Sequence, residues 1–314
     1  MNAVATRPRL GFLGVGWIGR HRLEAVERTG AAEVAAVADP ALPDALDTLD
    51  ELLERDVDGI VIATPSALHA EQAISALEAG VAVFCQKPLA RTAAETAAVV
   101  DAACRADRLL AVDLSYRFTA AARALRPAVA ELGAVDAVEL VFHNAYGPDR
   151  PWFYDAELAG GGCLVDLGTH LVDLALWSLE WPAVTHVDAR LLHRGGHEVE
   201  DLVLARLDLA NGTTVALACS WNLPAGRDCV IAARFYGGDG GAALLNVNGS
   251  FYDLRAERYR GTATEVLADP PDDWGGRAIC RWAQRLAARE RYDPEVEGAV
   301  DVAAVVDRIY ASGR

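Results

Sequence analysis

The stretch Arg9-Leu10-Gly11-Phe12-Leu13-Gly14-Val15-Gly16-Trp17-Ile18-Gly19 decides the fold. Arg9–Leu13 is a short apolar run and reads as a strand. Gly14-x-Gly16-x-x-Gly19 follows at once, and a helical pattern runs on from Ile18 to Arg28 with apolar Ile18, Leu23 and Val26. The glycine pattern alone is weak, but between a strand and a helix each glycine has a reason. Gly14 permits a tight turn, Gly16 lets a pyrophosphate approach the backbone, and Gly19 lets helix and strand pack closely. The helix start at Trp17 and Ile18 adds N–H groups and the positive end of the helix dipole. A second apolar run, Glu33–Ala38, ends on Asp39, 20 residues beyond Gly19. An acid there suits the ribose hydroxyls of an adenosine and repels a 2′-phosphate, so NAD(H) is expected rather than NADP(H).

Outward from this unit, strands and helices alternate. Gly59–Ala63 is a strand closed by Thr64-Pro65, and a helix from Ala67 to Ala79 stops at Gly80. Val81–Cys85 precedes Gln86-Lys87-Pro88. A helix over about Thr92 to Ala106 leads to a strand at Leu109–Asp113. This order predicts a parallel sheet covered by helices on both faces. Pro40 and Pro43 leave room for only a short crossover helix, at about Thr48–Arg55.

From about Thr119 the pattern changes. A helix over Ala120–Leu132 and a strand over Val135–His143 come before a loop rich in Gly, Pro and aromatics. An apolar helix at about Cys163 to Leu179 follows, then alternating segments at 186–192, 202–209, 215–221 and 230–236. Asn211-Gly212 marks a hairpin turn. The expected fold is therefore α/β. A Rossmann dinucleotide-binding domain (residues 1–118) is followed by an α/β domain (119–314) with an open, mainly antiparallel sheet. A terminal helix at about 294–312 packs back on the first domain.

The chain has 314 residues and a formal net charge of -16, which disfavours a nucleic-acid partner. No apolar run is long enough to span a membrane. Met1 to Arg9 lacks the apolar stretch of a signal peptide, and the six cysteines form no C-x-x-C pair, so a cytoplasmic protein with reduced thiols is expected. Of 29 basic residues one is lysine, Lys87. It stands at a sheet edge where ligands of such folds bind, and only lysine offers a compact ammonium able to lose a proton. Asp166, His170 and Asp173 lie at i, i+4 and i+7 in an otherwise apolar helix, on one face, after the run Gly160-Gly161-Gly162. Polar groups in such a helix are either satisfied in a core or line a cleft, and His is the natural group to take a proton near neutral pH.

Taken together, Gly14-x-Gly16-x-x-Gly19, Ala63-Thr64-Pro65-Ser66-x-x-His69, Glu78-Ala79-Gly80 and Lys87-Pro88 form an ordered set. It continues with Arg117-Phe118, Gly160–Gly162, Asp166-x-Gly168-x-His170 with Asp173, and Ser312-Gly313-Arg314. In this set the chain resembles the glucose-fructose oxidoreductase, inositol dehydrogenase and MocA family over nearly its whole length. The resemblance implies NAD(P)-dependent oxidoreduction of a sugar, cyclitol or related polyol by a homodimer or homotetramer, with the second domain serving substrate binding and oligomerisation. It implies Lys87 and His170 as the catalytic pair with Asp166 beside them, and places Thr64, Pro65, His69 and Gln86 near the cofactor. The family usually has Glu where this chain has Gln86, which keeps a hydrogen-bonding group but loses a charge. A redox-neutral NAD-dependent lyase or glycosidase, and a non-catalytic NAD- or sugar-sensing regulator, are the alternative readings. Tyr116, Arg117, Tyr146 and Trp152 are further substrate candidates. His193, His197 and Glu198 lie in a Gly-Gly hairpin, so no metal site is expected.

Overall fold

The computed structural model describes residues 7–313. Residues 1–6, most of the segment read for a signal peptide, and residue 314, which closes the Ser-Gly-Arg motif, lie outside the described residues. The chain forms two compact units, residues 7–115 with 275–300, and residues 116–274 with 301–313.

The first unit is built on a five-stranded sheet in the order β2-β1-β3-β4-β5. The strands are β1 (Arg9–Leu13), β2 (Glu33–Ala38), β3 (Gly59–Ile62), β4 (Ala82–Gln86) and β5 (Leu110–Asp113), and every pairing is parallel. β3 and β4 are buried at every position, as expected of strands covered on both faces. The crossovers are α1 (Trp17–Thr29), α2 (Leu49–Leu53), α3 (Ser66–Glu78) and α4 (Ala93–Ala106). The shortness of α2 bears out the reading of the proline-bearing segment, and Thr48 with Glu51 closes a capping box at its start. Leu13, Ile60, Ile62, Val83 and Cys85 meet the alanine-rich inner faces of α3 and α4 in one core.

A later helix, α8 (Gly276–Ala287), belongs to this unit and packs beside α1, over β4 and β5. Its Trp282 rests on the strand where Gly59 has no side chain. A Cβ there would stand 2.5 Å from the indole. The sequence reading has no element at this point, because the helix's apolar positions alternate with arginines and no strand marks it.

The second unit carries an eight-stranded sheet in the order β13-β12-β11-β10-β6-β9-β8-β7. Here β6 is Val135–Asn144, β7 Val184–Leu192, β8 Leu202–Leu209, β9 Thr214–Ser220 and β10 Cys229–Gly237. β11 (Gly240–Asn246), β12 (Leu254–Arg260) and β13 (Ala263–Ala268) complete it. All pairs are antiparallel except β6 with β9, so the sheet is mixed and mainly antiparallel. Gly212, at φ +92°, makes the β8–β9 turn that Asn211-Gly212 predicts.

Helix α5 (Ala120–Ala130) packs on β11, β12 and β13, and α7 (Thr169–Ser178) on β6 and β10. A short α6 (Ala156–Ala159) lies in the aromatic loop. The last helix, α9 (Gly298–Ser312), adds Val302, Val305, Val306 and Ile309 to the core of this unit. Strands β11 to β13 are absent from the sequence reading: Gly237-Gly238-Asp239-Gly240-Gly241 reads as loop, β12 is rich in charge, and β13 is short and shows no buried position. The uninterrupted α-helix expected from Cys163 is also corrected. Its first turn, Leu164–Gly168, is a π-helical turn, in which Thr169 N–H reaches back five residues to Leu164 O.

Candidate active site

The glycine turn in the first unit has three distinct environments. Gly14 adopts φ +84°, and a Cβ would stand 2.8 Å from the Ala63 carbonyl. At Gly19 a Cβ would stand 2.2 Å from Gly14 O, so only glycine lets α1 start against β1. Gly16 differs, since a Cβ there would meet nothing within 4 Å. The space beside its backbone is open to a ligand, and no side chain caps the N-terminus of α1 behind it. These are the features a pyrophosphate requires, and they fit a dinucleotide. Asp39 stands at the end of β2 and fastens the turn: Oδ2 accepts from Val15 N–H at 2.8 Å, Oδ1 from Ala41 N–H at 3.0 Å. Trp17 is 61% exposed at the helix start.

Thr64 and Pro65 follow β3, and the Thr64 hydroxyl donates to Gln72 Oε1 at 2.6 Å. His69 is buried. Its Nε2 lies 2.8 Å from the Thr64 carbonyl and its Nδ1 2.7 Å from that of Pro88, so the imidazole sits between the two loops and its N–H donates to one of these carbonyls. Burial, and the charge of nearby Lys87, push its pKa below the ordinary value.

At the end of β4, Gln86 is buried and Lys87 half-buried, and the Lys87–Pro88 bond is cis. Gln86 Nε2 donates to Asp113 Oδ2 on β5. Arg22 Nε, from α1, donates to the same oxygen at 2.5 Å. Burial, then the Asp113 charge, push the Cys85 thiol well above its usual range.

In the second unit the stripe of the apolar helix divides. Asp166, in the π-helical turn, and His170, one turn on, are half-buried. Asp166 Oδ2 accepts from the indole N–H of Trp221 at 3.1 Å. The ring of His170 meets that of Tyr116 edge-on, with centroids 4.8 Å apart. Asp173 is buried and accepts from Arg117 Nε at 2.8 and 3.0 Å. The Arg117 guanidinium also stacks on Trp181 at 5.0 Å. Arg117 is thus committed to a buried ion pair. Burial of the Tyr116 phenol, with the Asp166 charge among the smaller causes, raises its pKa far above the usual value.

The glycine run has a structural explanation that the sequence does not give. Glu200, buried at the end of the β7–β8 loop, accepts from Gly162 N–H at 3.1 Å, Leu164 N–H at 2.8 Å and the Tyr310 hydroxyl at 3.0 Å. A Cβ at Gly161 would stand 2.0 Å from that hydroxyl, and one at Gly162 2.0 Å from Glu200 O. Glu200 therefore caps the turn that carries Asp166. Of the aromatic candidates, Tyr146 is 51% exposed and Trp152 stacks on Phe153 at 3.9 Å. Among the described residues no three His, Cys, Asp or Glu side chains gather as a metal site, and no helix is long and apolar enough to cross a membrane.

Sequence reasoning passes over Arg22, Asp113, Glu200, Trp221 and Tyr310. None sits in a local motif, and each acts through a partner far away in the chain.

Residues 8–114 match the model of an oxidoreductase family with an NAD-binding Rossmann fold, and residues 122–243 match the GFO/IDH/MocA C-terminal domain. A protein of Amycolatopsis mediterranei, described as a UDP-kanosamine synthase oxidoreductase subunit, is 32% identical over 97% of this chain and 95% of its own. The chain belongs to the Gfo/Idh/MocA family. Another Gfo/Idh/MocA relative, the inositol 2-dehydrogenase of Agrobacterium fabrum, is 30% identical over 85% of this chain and 89% of its own. Among solved structures, GenD2 from gentamicin A biosynthesis, in complex with NAD, has a TM-score of 0.82 at 25% identity. It covers 98% of this chain and 94% of that one.

Proposed function

We propose that the protein is an NAD(H)-dependent oxidoreductase acting on a ring hydroxyl, or the matching ketone, of a sugar or cyclitol. The observation that carries this is the pair Asp166 and His170, half-buried in a π-helical turn and the helix it opens, inside a chain of Gfo/Idh/MocA type. When bound, the nicotinamide supplies or takes the hydride at the carbinol carbon. His170 takes the hydroxyl proton in oxidation and returns it in reduction. Lys87 polarises the same oxygen, and Asp166, oriented by Trp221, holds a neighbouring hydroxyl. Asp39, beside the glycine turn, favours NAD(H) over NADP(H) by repelling a 2′-phosphate. The relatives support the substrate class: one is an inositol 2-dehydrogenase and another is described as a UDP-kanosamine synthase oxidoreductase subunit.

The test is a fluorescence titration with NADH and NADPH, repeated with a panel of inositols, sugars and keto-sugars. Tighter binding of NADH is expected, with a change in nicotinamide absorbance for one substrate class. His170→Asn is expected to lower kcat by roughly 10²- to 10⁴-fold with NADH affinity little changed. Tight NADH binding without turnover of any panel member would instead favour the redox-neutral or regulatory reading.

A further inference from the structure

Three side chains share one carboxylate oxygen where β4 and β5 end. Gln86 Nε2 and Arg22 Nε both donate to Asp113 Oδ2, Arg22 at 2.5 Å. All three are buried, with Asp113 and Arg22 each 1% exposed. Arg22 is confined on its other side. Gly275, at φ +83°, precedes α8, and a Cβ there would stand 2.3 Å from Arg22 Nη1. His21 Nδ1 lies 3.1 Å from the same atom. Cys85 on β4 is a further titratable neighbour, and burial keeps its thiol protonated.

Arg22 and Asp113 form a buried ion pair, and the amide of Gln86 joins them as a neutral donor. A carboxylate at position 86 would face the Asp113 carboxylate in a buried site, and their repulsion favours a proton on one of the two. Asp113 also fixes the amide's orientation. Nε2 is committed to the carboxylate, so Oε1 is the end that remains as an acceptor for a neighbour.

We infer that Asp113, anchored by Arg22, is a positioning residue for Lys87. It holds Gln86, to which Lys87 is directly bonded, and it dictates Gln rather than Glu at that position. The inference rests on the reading of Lys87 as the group that polarises the substrate oxygen.

The test compares wild type with Gln86→Glu, Asp113→Asn and the double variant, by NADH affinity and by kcat between pH 6 and 9. Gln86→Glu is expected to lose about tenfold in kcat at high pH and to regain it as pH falls, because the introduced carboxyl, once protonated, can donate as the amide does. Asp113→Asn should lose a similar factor at every pH. The double variant restores one acid, one amide and one guanidinium, so it should return to within about threefold of wild type, with the wild-type pH profile. Purely structural damage would not create and then remove a pH dependence.

A Gln86→Glu variant with the kcat and pH profile of wild type would overturn the inference, as would a double variant no better than Asp113→Asn. The second comparison stands even if Gln86→Glu alone does not fold. If wild type turns over no substrate, the dehydrogenase reading falls by itself, and the coupling is read from NADH affinity. Non-additive effects of the two substitutions then support the inference, and additive ones overturn it.

Discussion

Asp166 and Asp173 are the same side chain, seven positions apart in one helical stretch, with opposite surroundings. Asp173 is 1% exposed and locked to Arg117, whereas Asp166 is half-buried and accepts from the Trp221 indole. Asp173→Asn leaves a buried guanidinium without its counter-charge, a change that costs about 3–5 kcal/mol. A large fall in melting temperature is therefore expected for Asp173→Asn and a small one for Asp166→Asn, which should lose turnover instead. Thermal melts and steady-state rates on the two variants separate these outcomes, and equal melting temperatures would contradict the division. The i, i+4, i+7 stripe is legible in the sequence. The division within it is not, because Arg117 lies 56 residues before Asp173. The sequence offers Arg117 as a substrate contact, and the ion pair gives it a structural task.

At the scale of elements, the start of the Asp166 turn depends on groups borrowed from elsewhere. The run Gly160–Gly162 is visible in the sequence, but the reason for it is not. What it provides is room for Tyr310 from α9 and for the backbone of Glu200. Gly162→Ala would drive a methyl into the Glu200 carbonyl, so loss of folded protein is expected, visible as aggregation or a lost melting transition. The Glu200 carboxyl is pushed above its ordinary value of 4.5 by burial, which outweighs the N–H groups that favour its charged form. A raised folded value means that its contribution to stability is fullest below the unfolded value and is lost as pH rises through the folded one. The melting-temperature advantage of wild type over Glu200→Gln should thus shrink as pH climbs from about 4.5 towards neutrality. A constant or growing advantage would contradict this. Neither the cap nor the π-helical turn could be read locally, since both depend on pairing across the fold.

For the whole molecule, apolar runs and turn residues were enough to reveal the parallel sheet, because its central strands are continuous buried runs. The second sheet was half legible. Its inner strands alternate cleanly, as in β8, while charges hide β12, and β13 lacks the buried alternate positions that would mark it. Register across this sheet lines up Leu204, Ala218, Val141, Ala232 and Leu245 in one row. Leu204, at 45% exposure, lies on the face opposite the buried Val203 and Ala205. Ala218, Val141 and Leu245 are half-buried and Ala232 is buried, so the part of the row left open, at Leu204, is what suits a second copy of the chain. Light scattering should find a dimer or tetramer, and Leu204→Glu should shift it towards monomer. A monomeric wild type would remove this expectation.

The lone lysine at the end of β4 has one more consequence. Amine-selective chemistry, such as reductive methylation, finds a single side-chain amine in 314 residues, besides the α-amino group. Intact-mass spectrometry of the labelled protein therefore reports on one position without any peptide mapping. Labelling that NADH slows would make Lys87 its own occupancy gauge.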